Sequence, residues 1–141
     1  MRFALYLLLV FFSSYSIAAN KLLPYEPKIV SVTGTIKVIT YPGPPNYESI
    51  KNGDQPETSG YLILDHPIDV TPSKEDDINE FEKNAHILQL VILRDNDWKK
   101  IKNGKHVRVT GTLFHRQTGH HHTRVLVEAR EIYVIEPSTA G

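Results

Sequence analysis

Residues 109–113 read Val-Thr-Gly-Thr-Leu, and nearly the same phrase, Val-Thr-Gly-Thr-Ile, occupies residues 32–36. Each phrase lies inside a run rich in β-branched residues, which is typical of a β-strand. A glycine within a strand indicates a bulge or a sharp bend, and a long strand must bend in this way to wrap around a small barrel. Because nothing around the two phrases repeats, we interpret them as one physical requirement met twice rather than as a duplication.

The remaining pattern extends this to five predicted strands, at residues 28–40, 61–70, 86–93, 105–115 and 123–136. A polar segment at 71–85 predicts a short helix or turn with Ser73 as N-cap, and residues 98–101 predict a short helix before the fourth strand. Five strands with a helix between the third and fourth is the order of an OB-fold barrel. The sequence therefore predicts an all-β, five-stranded OB-like barrel with one or two short helices. The alternative is a β-sandwich, which would have more strands and shorter loops.

The first nineteen residues have the features of a signal peptide. Arg2 gives a positive start, residues 3–12 are almost continuously apolar, and Ser-Ile-Ala at 16–18 fits a cleavage site, so a cut is expected after Ala18 or Ala19. An uncleaved anchor is the alternative, but a spanning helix needs about 20 apolar residues. The sequence thus predicts an exported protein, periplasmic or secreted, with no stable membrane insertion after cleavage.

The rest of the chain is predicted to hold an N-terminal extension at 20–27, one barrel domain at 28–136 and a flexible tail at 137–141. Removal of Arg2 from a balance of 16 basic and 16 acidic residues leaves a charge near −1. This charge argues against nucleic acid as a partner, because its binders need a concentrated positive surface. The absence of cysteine excludes disulfides and thiolate metal sites. We expect a monomer.

Residues 41–60 form a predicted loop of about twenty residues that contains four prolines and three glycines. Loops of that length are usually either functional or disordered. Tyr41, Tyr47 and Tyr61 bracket the loop, and they would be its own small core if buried or a stacking platform for sugars or bases if exposed. We favour burial, because so long a loop needs something to order it. Trp98 is expected in the core.

Residues 115–123 carry four of the seven histidines of the chain. Alternate residues of a strand share a face, so His120 and His122 are expected to point together, with His121 pointing away and His115 across the hairpin. Two or three imidazoles would suit zinc, copper or nickel. The tract has no flanking cysteine and no helical spacing, so metal binding, a role in holding the long loop, and contact with a partner all remain open.

Glu48, Asp54 and Glu57 form an acidic group on the long loop. A pair of carboxylates could serve glycoside hydrolysis, but such an enzyme needs a cleft that this small domain has little material to build. We favour a local role, in which Glu48 caps backbone N–H groups or pairs with Arg116 or Arg124. The sequence has no Gly-x-Ser-x-Gly motif and no glycine-rich phosphate loop. We therefore predict that the protein is not an enzyme.

In an OB-fold the loop between strands one and two and the loop between strands four and five flank the same binding face. Here these are residues 41–60 and the His loop, 115–123, so the two unusual segments should lie close together. The predicted ligand-binding residues on this face are Tyr47, Glu48, Asp54, His115, His120 and His122.

Two segments resemble the signatures of a known family. Residues 43–57 begin Gly-Pro-Pro-Asn-Tyr-Glu-Ser-Ile and continue to Gly-Asp and Glu, while residues 107–115 read Val-Arg-Val-Thr-Gly-Thr-Leu-Phe-His, with Thr-Gly-His-His-His-Thr at 118–123. Together they are similar to the bacterial family called domain of unknown function 4431, over roughly residues 30–132. The resemblance implies an exported protein, in a family whose members are sometimes joined to other envelope domains, and it implies no activity. It also implies a cysteine near the end of the second strand in many members, where this chain has Asp69.

The sequence therefore predicts an exported, non-enzymatic binding module whose partner is an envelope or secreted protein or a small ligand. The alternative is a protein that binds or buffers a divalent transition metal through His115, His120 and His122. A hydrolase using histidine and carboxylate groups is a third and weaker hypothesis.

Overall fold

The computed structural model describes residues 10–139. Residues 1–9 of the predicted signal peptide and the last two residues of the predicted tail lie outside this range, and residues 10–19 form neither strand nor helix. Within the described residues, no helix has both the length and the apolar character that a membrane crossing requires. The elements are β1 (Lys21–Pro24), β2 (Val30–Pro42), β3 (Pro56–Thr71), β4 (Glu82–Ile92), a 3₁₀-helix (Asp95–Lys100), β5 (His106–His115) and β6 (Val125–Val134).

Five of the strands form a closed barrel in the order β3-β2-β5-β6-β4, and pairing between β3 and β4 completes the ring. The β4–β6 pair is parallel and the other pairs of the ring are antiparallel. This is the OB-like order, so the predicted fold is confirmed. The sixth strand, β1, was not predicted. It lies in the N-terminal extension and pairs in parallel with the second half of β3.

The two glycines that prompted the barrel prediction are required by close backbone approach. A Cβ on Gly34 would collide with the carbonyl oxygen of Ile63, and a Cβ on Gly111 would collide with that of Glu128. The β5–β6 register also shifts between Thr110 and Gly111, as a bulge does. The shared phrase therefore marks two places where neighbouring strands come too close for any side chain.

Two sequence predictions need correction. The long loop is shorter than predicted, because β2–β3 pairing continues to Pro42↔Pro56 and leaves only residues 43–55 unpaired. The segment between β3 and β4, predicted as a short helix or turn, forms turns, and Asp76 accepts the N–H groups of Ile78 and Asn79 there. Trp98 is 53% exposed on the 3₁₀-helix instead of packing in the core.

The core fills the barrel interior, and a second buried layer lies outside it. Leu62, Leu88 and Val127 belong to the interior core. The strand positions next to them, Tyr61 and Gln89, are register partners on the opposite face of the sheet and are buried as well. Something outside the barrel must therefore cover this face, which is the one flanked by the two long loops.

Candidate functional site

The two unusual segments of the sequence meet in space, as predicted. The Tyr47 hydroxyl of loop 43–55 lies 3.3 Å from Nε2 of His120 in the His loop. The Tyr47 ring also lies over Gly119, where an added Cβ would be 2.9 Å from the ring Cζ atom. A glycine at this position thus allows the tyrosine of one loop to pack on the backbone of the other.

Loop 43–55 is organised by the buried carboxylate of Asp54. This carboxylate accepts the backbone N–H groups of Asn46 at 2.9 Å and of Glu48 and Ser49 at 2.8 Å each. These backbone hydrogen bonds hold the pKa of Asp54 below its usual value. Asp54 was predicted as a ligand-binding residue, but both of its oxygens are engaged in shaping the loop. The side chain of Glu48 is exposed, and its contribution to the loop is the backbone N–H.

Glu57 joins the start of β3 to two histidines of the His loop. Its Oε1 is hydrogen-bonded to Nδ1 of His120, and its Oε2 lies 2.8 Å from Nε2 of His122. Burial raises the pKa of Glu57, but the hydrogen bonds from His122 and His120 outweigh this effect and hold the pKa below its usual value. We call these three residues the Glu57 cluster.

The Glu57 cluster lies over the outer face of the barrel and covers it. The His122 ring stacks on Tyr41 with centroids 4.8 Å apart, and Tyr41 meets Tyr61 edge-on at 5.5 Å. The Gln89 side chain accepts the N–H of His122 at 2.7 Å and donates to the carbonyl of His120 at 3.1 Å. The predicted burial of the tyrosines is thus correct for Tyr61 and partial for Tyr41 and Tyr47.

His121 points away from His120 and His122, as predicted, and holds the tip of its own loop. Its Nδ1 accepts the N–H of Gln117 at 3.0 Å, and its ring meets Phe114 edge-on at 5.4 Å. Burial, followed by the neighbouring His120 and His122, lowers the pKa of His121 below 6.5. The neutral imidazole that this hydrogen bond requires is therefore the favoured form.

His115 belongs to a different group. Its Nε2 lies 2.8 Å from Oε1 of Glu82, and Nη1 of Arg124 lies 3.5 Å from Oε2 of the same carboxylate. The buried Asn79 accepts the backbone N–H of His115 at 2.7 Å and so fixes the end of β5. We call Glu82, His115 and Arg124 the Glu82 cluster.

The three histidines proposed as metal ligands are therefore divided between two clusters. His120 and His122 converge on Glu57, while His115 pairs with Glu82. Within residues 10–139, no three His, Asp or Glu side chains are grouped so as to hold a metal ion.

A cavity of about 330 Å³ lies between the two clusters. Its lining includes His122, with the Tyr41 ring stacked on it, Glu82 and Arg124, and residues 83–87 of β4. A larger cavity of about 580 Å³ lies between residues 18–21 and the bulged part of β3. Because that lining includes Ala18 and Ala19, cleavage of the predicted signal peptide would remove part of it, so the cavity between the clusters is the stronger candidate site.

An exposed apolar patch lies next to the Glu82 cluster. Ile78 is 65% exposed and Phe81 is 54% exposed, and both lie within two residues of Asn79, which holds His115 in place. Large apolar side chains that stay exposed on an anchored segment favour contact with a partner.

Sequence reasoning missed Glu82, Gln89 and Asn79. Glu82 and Asn79 lie in the polar segment 71–85, and nothing in that segment indicates that one of them would be buried. Gln89 offered a usable signal, because it is the one polar residue in the apolar run from Ile87 to Leu93. A buried amide is expected to have hydrogen-bonding partners, and here the partners are backbone groups of the His loop.

A family model matches part of the chain. Residues 87–132 match the model of the family described as domain of unknown function 4431. This is the family that the two motifs resemble, and the matched segment contains the second motif, while the first, at 43–57, lies outside it. No curated protein matches the chain.

Proposed function

We propose that the protein is an exported, non-enzymatic binding module, and that the cavity between the Glu57 and Glu82 clusters is its binding site. The observation that carries the proposal is the cavity itself, of about 330 Å³, beside the loops that flank the OB-type binding face. Ligand sites usually begin near this size. The exposed Ile78 and Phe81, which come shortly before Glu82 in the sequence, supply apolar surface for a ligand or partner that extends beyond the cavity.

A binding role is favoured over hydrolysis by the way in which the loop carboxylates are engaged. Both oxygens of Asp54 accept backbone N–H groups, and both oxygens of Glu57 are held by imidazoles. A general acid or base must be within reach of a substrate proton. These carboxylates have structural partners instead, so they are poor candidates for that role.

Export is supported by the position of the first strand. β1 begins at Lys21, two residues after Ala19, and residues 10–19 add no strand to the barrel. Cleavage after Ala19 would therefore leave the sheet whole. N-terminal sequencing of protein from the periplasm or medium of a bacterial culture should begin at Ala19 or Asn20, and retention of Met1 would count against export.

The binding role is tested by a fragment screen with the purified ¹⁵N-labelled protein, observed by two-dimensional NMR. The screen contains neutral, anionic and cationic compounds in equal numbers. We expect hits whose amide shifts concentrate at residues 82–87 and 122–125, which line the cavity. Hits that bind elsewhere, or no hits in any charge class, would contradict the proposed site.

Transition-metal binding is the second candidate. It is suggested by the two imidazoles and one carboxylate that meet at Glu57, which are residue types that bind zinc. The three side chains are hydrogen-bonded to one another and are not grouped to hold a metal in residues 10–139, so binding would require His120 and His122 to turn away from Glu57. Calorimetric titration with zinc, copper and nickel tests it, with a His120→Ala/His122→Ala double variant beside the parent and His66→Ala as control. Sub-micromolar binding that only the double variant loses would establish a metal site. The absence of binding, with a less stable double variant, would mean that these histidines hold the loop.

A further inference from the structure

We infer that the cavity between the two clusters takes a small organic anion, with a carboxylate or phosphate at one end and a planar or apolar body at the other. This inference rests on the proposed binding function and adds the chemical class of the ligand. Its basis is the charge and the shape of the cavity lining.

The lining has an excess of positive charge. Lys83 and Arg124 are its permanent cations, and Glu82 is its one carboxylate. Glu82 is already engaged, since Oε1 pairs with His115 and Oε2 faces Arg124. His86 and His122 are also in the lining, and Nε2 of His122 is engaged by the carboxylate of Glu57. Because the whole chain has equal numbers of acidic and basic residues, this local excess is a property of the site.

Two other cavities do not share this excess. The cavity near the N-terminal extension has one lysine, Lys21, one carboxylate, Asp65, and one histidine, His66. A third, beside the 3₁₀-helix, is lined by Arg94 and Lys100 together with two aspartates. The lysines and arginines are balanced by carboxylates in both. Charge complementarity to an anion therefore distinguishes the cavity between the clusters.

Arg124 is the group best placed to recognise the anion. Its side chain is 76% exposed, and its 3.5 Å separation from Glu82 is longer than an ordinary hydrogen bond. The guanidinium can therefore present its donors to a carboxylate or a phosphate in the paired geometry that both favour. Thr123, by contrast, is not available, because its hydroxyl accepts the N–H of Gln89 and donates to the carbonyl of Val125.

The rest of the cavity suits a flat or apolar body. Ala85, Ile87 and Val125 contribute apolar surface, and the rings of Tyr41 and His122, which stack on each other, contribute aromatic surface. The volume, about 330 Å³, is close to the lower end of the range for ligand sites and favours a small molecule over a polymer.

The test compares three probes that share one shape and differ in charge, namely benzoate, benzamide and benzamidine, which are anionic, neutral and cationic. Phenyl phosphate is the fourth probe and separates phosphate from carboxylate recognition. Each is titrated into the purified ¹⁵N-labelled protein, and affinity is taken from the amide shifts of residues 82–87 and 122–125. The variants are Arg124→Gln and, as control, Arg116→Gln, an exposed arginine of the same loop that is not in the cavity lining.

We expect an anionic probe to bind about tenfold more tightly than benzamide, which is the gain typical of one charge-assisted contact. Arg124→Gln should remove that advantage and Arg116→Gln should keep it. Whichever of benzoate and phenyl phosphate binds more tightly shows whether the site prefers a carboxylate or a phosphate. Benzamide or benzamidine binding in the cavity at least as tightly as both anions would overturn the inference and leave the binding function in place. If none of the four perturbs the cavity, the inference fails, and the fragment screen decides the binding function separately.

Discussion

The Glu57 cluster and the Glu82 cluster stand on either side of one cavity, and each pairs a glutamate with histidine, yet they are built for different tasks. Glu57 has both oxygens held by imidazoles, and its cluster ties β3 to the two long loops. Glu82 has one firm partner, His115, and a looser one, Arg124, whose guanidinium remains exposed. The difference supports the proposal that the first cluster holds the site together, whereas the second leaves a charge exposed for a ligand.

Removal of Glu57 should have the largest effect on stability. Glu57→Ala leaves the largely buried imidazole of His122 and the exposed imidazole of His120 without their shared acceptor, so we expect a loss of about 2–3 kcal/mol in the free energy of unfolding, mostly through His122. Urea denaturation measures this loss. Glu48→Ala is the control, because its exposed side chain is outside the cluster and should change stability by less than about 0.5 kcal/mol. Equal losses for the two variants would contradict a holding role for Glu57.

Replacement of Gln89 should cause the next largest loss of stability, because its side chain hydrogen-bonds the backbone of the His loop. Gln89→Met keeps the length of the side chain but leaves the N–H of His122 and the carbonyl of His120 without their partner. We expect a loss of about 2 kcal/mol, with faster amide exchange at His122. Gln117→Met is the control, since that exposed residue takes part through its backbone N–H, which the substitution retains. Unchanged exchange at His122 in Gln89→Met would show that the loop is held by other contacts.

Acid should destabilise the His loop and the Glu57 cluster in two stages. Burial lowers the pKa of His121 in the folded protein below 6.5, so the unfolded chain binds the proton more readily. The stability that neutral His121 contributes above about pH 6.5 is therefore lost as the pH falls. Glu57 follows below pH 4.5, because its pKa is also lowered in the folded state. The urea midpoint, measured between pH 7.5 and 3.5, should fall first as His121 is protonated and again as Glu57 is protonated. His121→Asn should remove the first fall in the midpoint, and the control His66→Asn should leave it unchanged. A midpoint that rises as the pH falls from 7 to 5 would contradict this assignment.

Arg124 should have the smallest effect on stability, in contrast with its expected effect on ligand affinity. Exposed ion pairs contribute little, so Arg124→Gln should change the free energy of unfolding by less than about 0.5 kcal/mol. The urea midpoint measures this, with Arg116→Gln as the matched control. A loss comparable to that of Glu57→Ala would mean that the two clusters do not divide structure and binding between them.

The fold could be predicted from the sequence because its requirements are local. The glycines at 34 and 111 marked the places of close strand approach, and the alternation of apolar residues marked the strands. β1 escaped notice because it is only four residues long and depends on pairing with β3. Trp98 was placed in the core on its residue type, but the 3₁₀-helix leaves it half exposed.

The site could be predicted only in outline. The topology brought the two loops together, and the family match to residues 87–132 agrees with the resemblance of the second motif. The partners of each histidine depended on tertiary contacts, because Glu57 and Glu82 are far in sequence from the residues that they bind. The division of the histidines into two clusters, and hence the cavity between them, could not be obtained from spacing within the His loop.

The division of roles between the two clusters is tested by the map of backbone amide shifts when benzoate is added to the purified protein. We expect the largest changes at residues 82–87 and 122–125, with loop 43–55 almost unchanged, because the Glu57 cluster stays closed while Arg124 meets the carboxylate. Large changes in loop 43–55 with little change at 122–125 would contradict this division of roles. They would mean that the ligand enters beneath the His loop and that the cluster assigned to structure is the one that opens.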